Sequence, residues 1–307
     1  MTTKVCSPWL HRAAIFIAVC TFLLLVAGAL VTSNDAGLSV PDWPTSFGSF
    51  RLPPMVGGVK FEHGHRMMAG AVGILTILVV VALGFQDGRR WVKWTGGAAV
   101  LAVLAQAALG GITVLRHLPV AISTGHATLG QVFFCLTASL AFFTRPGWRW
   151  DEPKLEDPSA PSLQHLTLAL TGTVLLQLIV GAAYRHSGLS LTPHVVGACL
   201  VTLLAAWIVV RIVTKFPGQP ALLRPAMFLG ALLMIQLTLG MGAYIVKTAN
   251  PSAVQPLPPV VLLATTHVAV GALLLLTSLY LTYQTQRFLA PSAGEPAVVS
   301  APRRATL

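Results

Sequence analysis

The stretch KFEHGHRMMAG, residues 60–70, stands where an almost wholly apolar run from Met67 to Phe85 begins. Glu62, His63, His65 and Arg66 bring a carboxylate, two imidazoles and a guanidinium to the mouth of that run, where hydrocarbon offers them no partner. Three further histidines occupy comparable places: His126 early in one apolar stretch, His194 at the start of another, and His267 seven residues into a third. One imidazole at membrane depth is explained equally well by an interhelical hydrogen bond or an interfacial position. Four at matched depth call for a common explanation.

The elements that must position them follow from composition. With 55% hydrophobic and 9% charged residues over 307 positions, the chain cannot present the charged surface of an ordinary soluble domain. A helix needs roughly 20 apolar residues to cross a bilayer core. Eight stretches qualify, near 13–32, 64–85, 94–115, 121–143, 163–184, 191–213, 225–246 and 260–283. The expectation is an all-α integral membrane protein whose eight transmembrane helices form two pseudo-repeated four-helix bundles, residues 1–150 and 151–307. A loop at 33–62, a charged linker at 145–162 and a polar tail from Gln284 make up the remainder. The first stretch has no small-residue cleavage site and reads as a retained span.

Lys and Arg lie between the spans, so their use is to fix topology and not to bind nucleic acid. Lys4, Arg12, Arg89, Arg90, Lys93, Arg145, Arg149, Lys154, Arg211, Lys215, Arg224, Arg287, Arg303 and Arg304 fall on one side, leaving six of the 20 cations on the other. That bias predicts cytoplasmic termini in a cell membrane, with the histidines toward the outer side. Cys6, Cys20, Cys135 and Cys199 lie at the N-terminus or within apolar spans, where they read as small packing residues, and no outer-loop disulfide is expected.

Taken as helical hairpins, the sequence repeats. Odd spans carry Gln-x-x-x-Gly at Gln106/Gly110, Gln177/Gly181 and Gln236/Gly240. Even spans carry Thr-x-His-x-x-x-small at Thr124/His126/Gly130, Thr192/His194/Ala198 and Thr265/His267/Gly271. The first hairpin keeps Gly28, His65 and Ala69 but has Leu24 and His63 in the Gln and Thr positions. Residues four apart share a helix face, so each histidine stands over a small residue. The room beside it serves either close helix packing or a flat ligand.

Zinc or copper would ordinarily add carboxylates or thiolates to two imidazoles. Haem needs two axial ligands, and a helix bundle can supply them from facing helices in an apolar slot. The simplest pairing lies within halves, His65 with His126 and His194 with His267, which predicts two haems. Arg66, Arg116, Arg185 and Lys247, at the same ends, are candidates for meeting propionates or for anchoring the interface.

These residues resemble the haem A synthase family. The resemblance rests on Glu62-His63-Gly64-His65-Arg66, on Gln106-Ala-Ala-Leu-Gly-Gly-Ile-Thr-Val, on Gly125-His126-Ala127, on His194 and His267, and on Asp35-Ala-Gly-Leu-Ser-Val-Pro-Asp-Trp-Pro in the first outer loop. It implies an oxidoreductase of cytochrome oxidase assembly that oxidises the position-8 methyl group of haem O to a formyl group. It also implies haem b as cofactor on His194 and His267, with the substrate haem held by His65 and His126. Haem O synthase and an electron carrier are the expected partners. The family's cysteine pair in the first outer loop is absent here, so its role does not carry over.

Glu62, three residues before His65, then reads either as a proton-transfer carboxylate or as the i,i+4 partner of Arg66. His63 points elsewhere on the helix and reads as interfacial. From residues alone, a dihaem cytochrome that takes electrons from quinol, or a haem carrier, remains open, because fold does not choose among them.

Overall fold

The computed structural model describes residues 7–291, so Cys6, Lys4, Arg303 and Arg304 lie outside the described residues. Among the described residues, eight helices are long and apolar enough to cross a membrane. They are α1 (Pro8–Ser33), α2 (Val59–Gln86), α3 (Arg90–Leu115), α4 (Val120–Thr144), α5 (Leu163–Arg185), α6 (Leu191–Lys215), α7 (Pro220–Ala249) and α8 (Pro258–Phe288). Each expected span is recovered with the helix running further at one or both ends. Proline at the first or second position opens α1, α7 and α8, where its missing N–H costs nothing. The Ser162 hydroxyl caps α5 by accepting from the His165 amide.

The polar tail does not begin at Gln284: α8 continues to Phe288 because Gln284, Thr285 and Arg287 are buried against the protein. Leu289–Pro291 then forms a short strand, β2, parallel to β1 (Leu155–Asp157) in the 145–162 linker. The linker is therefore structured. Asp157 accepts from Arg211 at 3.0 Å and from the Leu163 amide at 2.6 Å, and both partners of that ion pair are buried.

Short connections make sequential helices neighbours. In the first half α1 packs on α2, α2 on α3, α3 on α4, and α4 back on α1; α5 to α8 follow the same cyclic order. The two halves meet along α1, α4, α5 and α8. Small residues thin this seam, where Ala18, Ala138 and Ala272 surround Phe134 and allow close approach. Between α5 and α8, Thr167 meets Thr285 and Thr171 meets Thr282, each at 2.9 Å, while each hydroxyl also lies within bonding distance of a carbonyl of its own helix.

Candidate functional site

All four histidines of the repeat occupy the same end of the molecule, and each imidazole rests on a glycine of the preceding helix. A Cβ added to Gly28 would lie 3.0 Å from His65 Cε1; at Gly110 it would lie 3.2 Å from His126 Cε1. At Gly181 and Gly240 the corresponding distances to His194 and His267 are 2.8 and 2.9 Å. The glycine of Gln-x-x-x-Gly is thus required by the ring lying across it, since any side chain there would displace the imidazole.

The small residue four positions after the histidine has a different occupant from the one expected. A Cβ at Gly130 would meet the Gln106 amide at 2.9 Å, and one at Gly271 the Gln236 amide at 3.3 Å. In α6 the equivalent contact falls to Gly197, against Gln177 Oε1, and not to Ala198. The second, third and fourth hairpins are therefore locked reciprocally, histidine over glycine in one direction and glutamine over glycine in the other. The first hairpin has Leu24 in the glutamine position and lacks the second half of this lock.

The glutamines also fix the rings. Gln177 Nε2 donates to the His194 carbonyl at 2.7 Å and lies 3.0 Å from its Nδ1. His267 Nδ1 lies 3.1 Å from the Gln236 carbonyl, and Gln236 Nε2 lies 3.2 Å from His267 Nε2. In α2 and α4 the rings of His65 and His126 face the backbone of Leu24 and Gln106 in the same way, with Nδ1 enclosed, and no glutamine side chain bonds them.

The structure brings His194 and His267 together, with ring centroids 6.2 Å apart and planes at 72°. Two imidazoles on opposite sides of one metal, each nitrogen at about 2 Å, would have centroids roughly 6 Å apart. Among the described residues no group of three or more His, Cys, Asp or Glu could gather a metal. A centre that takes only two protein ligands, as haem does, fits this donor set.

Glu62 is buried and fully engaged. One carboxylate oxygen accepts from the Val40 amide at 2.8 Å and the other from Arg66 at 2.5 Å. Arg66 also donates to the carbonyls of Val40, Asp42 and Thr45 at 3.0, 2.7 and 3.1 Å. The i,i+4 ion pair is thus present, and it clamps the loop between α1 and α2 onto α2. His63, half-buried, joins the clamp through Ser46 Oγ at 2.8 Å.

Within the loop the Asp42 carboxylate accepts from Thr45, Phe47 and Gly48. The Thr45 hydroxyl first, and then the Gly48 amide, hold its pKa down from 3.8 to about 2. Trp43 lies so close on α3 that a Cβ at Gly111 would be 2.7 Å from its ring. The loop is consequently seated over the ends of α2 and α3.

Of the candidate propionate cations, Arg66 is committed to the loop, and Arg185 donates across the seam to the Ala29 carbonyl and Ser33 Oγ at 2.9 and 2.6 Å. Ser33 in turn meets Thr265 at 2.9 Å, two residues before His267. Arg116 and Lys247 are exposed. Sequence reasoning missed the Arg185 crosslink and the Trp43 seat. An arginine at the end of an apolar span and a tryptophan in a polar loop were their only signals.

Residues 59–193 match the family described as cytochrome oxidase assembly protein, COX15-CtaA. The matched stretch holds Glu62, His65, Arg66, Gln106 and His126, and it ends one residue before His194. The chain is similar to the Heme A synthase of Caulobacter vibrioides, 32% identical over 154 residues, or 45% of this chain and 43% of that protein. It is similar to the Heme A synthase of Lysinibacillus sphaericus, 28% identical over 188 residues and 60% of each chain. The Heme A synthase of Symbiobacterium thermophilum is 28% identical over 176 residues, 55% of this chain and 56% of that protein. The aligned parts span roughly half the length of these relatives.

Proposed function

We propose that this chain oxidises haem O to haem A, converting the ring methyl group at position 8 to a formyl group by way of hydroxylated forms of the substrate. His65 and His126 hold the substrate haem, and His194 and His267 hold a permanent haem b. The observation that carries the reading is the fourfold seat of histidine on glycine, occurring within a chain whose curated relatives are named for this activity.

The asymmetry between halves supports the division of labour. In the C-terminal half both rings are held by glutamine contacts and stand 6.2 Å apart, and a haem there would displace the Gln236 amide from His267 Nε2. In the N-terminal half no glutamine side chain bonds either ring, and the first hairpin has Leu24 in the glutamine position. A pocket that must admit and release its ligand is the one left less tied. When bound, haem supplies one-electron oxidation and reduction at its iron. The protein's own contribution is the apolar slot, the two imidazoles and the loop seated over α2 and α3, which keeps bulk water from the reacting edge.

Glu62 serves this site first as a positioning residue, since its carboxylate holds the loop through Val40 and Arg66. Proton transfer by Glu62 is a second reading, favoured by its place three residues before His65 on α2; it requires the Arg66 pair to open. The terminal faces are cytoplasmic and the histidine face is outer, on the strength of the cation bias. Haem O synthase and an electron carrier are the partners this chemistry calls for. A dihaem carrier would use the same histidine pairs, but the relatives' names favour the enzyme.

The test is the ligand split. Each of the four His→Ala variants is purified from cells making haem O, and both its absorbance spectrum and its extracted haems are read. His194→Ala and His267→Ala should lose the low-spin bis-imidazole spectrum. His65→Ala and His126→Ala should keep it and yield no formylated haem. Retention of an unchanged spectrum in both C-terminal variants would overturn the assignment.

A further inference from the structure

At the end of the molecule opposite the histidines, α4 and α7 each pack along α8, and the fissure between them opens into a cavity of about 690 Å³. It spans the boundary between the halves. Arg145, Arg224 and Arg287 stand in its lining, and no carboxylate does. The guanidinium groups of Arg145 and Arg224 are exposed and have no hydrogen-bond or ion-pair partner among the described residues. Arg287 is already held by Glu152 at 3.2 Å and lies 4.1 Å over the Trp148 ring. Trp148 is 7% exposed, and its indole N–H is enclosed without an acceptor. The remaining wall is mostly apolar, with Thr277 and Gln284 its polar members and Phe228 half exposed on α7.

We infer that this cavity is a binding site for one anionic phospholipid of the adjoining leaflet, its phosphate held by Arg145 and Arg224 and the start of its chains lying against Phe228 and Tyr280. Two unpaired guanidinium groups in a lining that holds no carboxylate call for an anion, since Glu152 beside them is already paired with Arg287. Basic pockets between membrane helices select anionic headgroups in this way. A free phosphate would use the cations but gain nothing from the apolar wall, whereas a phospholipid uses both. The C-terminal cap of α4 and the first turns of α7 place the arginines at helix ends, the level at which headgroups lie. A lipid seated there would wedge the two halves together below the haem slots. The inference requires the chain to span a membrane and is independent of the reaction it performs.

The experiment uses the full chain, purified in detergent and stripped of lipid, with native mass spectrometry to count retained lipids. Phosphatidylglycerol, phosphatidylcholine with the same chains, and inorganic phosphate are the probes. Arg145→Gln/Arg224→Gln is compared with Arg12→Gln/Arg90→Gln, which removes equal charge from exposed residues at the same end; thermal unfolding confirms that both variants are folded. One phosphatidylglycerol should be retained by the wild type and by the control pair. At about a factor of five per cation, the site variant should bind it roughly 25-fold more weakly. Equal retention of phosphatidylcholine, equal binding by both double variants, or displacement of the lipid by millimolar phosphate would overturn the proposal. A site variant that fails to fold is replaced by Arg224→Gln alone, for which about a fivefold loss is required.

Discussion

Replacing Gly181 by alanine separates stability from ligand placement, because its two effects on stability oppose each other. Alanine for glycine within a helix is worth about 1 kcal/mol in its favour. The added Cβ, however, would lie 2.8 Å from His194 Cε1 and 3.1 Å from its Nδ1. Ordinary carbon contact begins near 3.5 Å, so the imidazole must retreat by about 0.7 Å. Overpacking of this kind costs about 1–3 kcal/mol, which leaves net stability within about 2 kcal/mol of wild type. Metal–ligand distances tolerate only about 0.2 Å. The account therefore predicts a folded protein that has lost about tenfold or more of its haem affinity. Gly110→Ala, at 3.2 Å from His126, asks for about 0.3 Å and should be the mildest of the four equivalent changes. Gly172→Ala on α5 and Gly230→Ala on α7, where a Cβ meets nothing within 4 Å, are the controls. Haem per protein is measured by pyridine haemochrome, and ligation by reduced-minus-oxidised spectra of the purified variants. A Gly181→Ala protein with full haem and an unchanged spectrum, alongside a Gly230→Ala protein that lost both, would refute the reasoning.

Other outcomes follow from the same contacts. Arg66→Lys cannot reproduce a fork that reaches three carbonyls and a buried carboxylate, so the outer loop should become open to limited proteolysis between residues 34 and 58; Arg66→Gln, which leaves Glu62 buried and unpaired, should cost about 3–5 kcal/mol in unfolding measurements. Asp42 has its pKa depressed, so the stability it lends the loop is fully present above its ordinary 3.8 and is lost as pH falls toward about 2; pepsin cleavage near residues 42–51 should rise through that window, and Asp42→Asn should abolish the dependence. Asp157→Asn, which strips Arg211 of a buried partner, should destabilise by about 3–5 kcal/mol, whereas Asp151→Asn at the exposed Arg149 pair should leave the unfolding temperature essentially unchanged, both read by thermal unfolding. A variant with all four cysteines replaced by alanine or serine should keep most of its activity, since Cys20, Cys135 and Cys199 are free thiols, the first two packed in the core and the third exposed.

Much of the fold could be read in advance, because hydrocarbon imposes one rule on every span and the rule leaves long apolar runs. The matched depth of His65, His126, His194 and His267 was equally legible, since topology converts sequence position into height. Lateral contacts were harder. The glycine under each imidazole lies on another helix, and spacing within one helix pointed instead to the residue four positions on, which proves to face glutamine. Glu62 showed the same limit: i,i+4 spacing announced Arg66, but the Val40 amide that occupies its other oxygen is brought there by a loop with no periodicity to read. The structured end of the chain was hidden for a related reason, because Gln284 and Arg287 look solvent-bound until the linker that buries them is in place.

The central claim is that this chain makes a product and does not merely carry electrons. The direct measurement is to express it in a host that makes haem O but no haem A, extract the non-covalent haems, and identify them by chromatography and mass. The account predicts haem A, or the hydroxylated form that precedes it, in cells with the gene and in none without it. Glu62→Gln in the same host should lower the yield of that product while bound haem persists. A correctly inserted, haem-loaded wild-type protein that left haem O unchanged in aerated cells would contradict the account and identify a carrier.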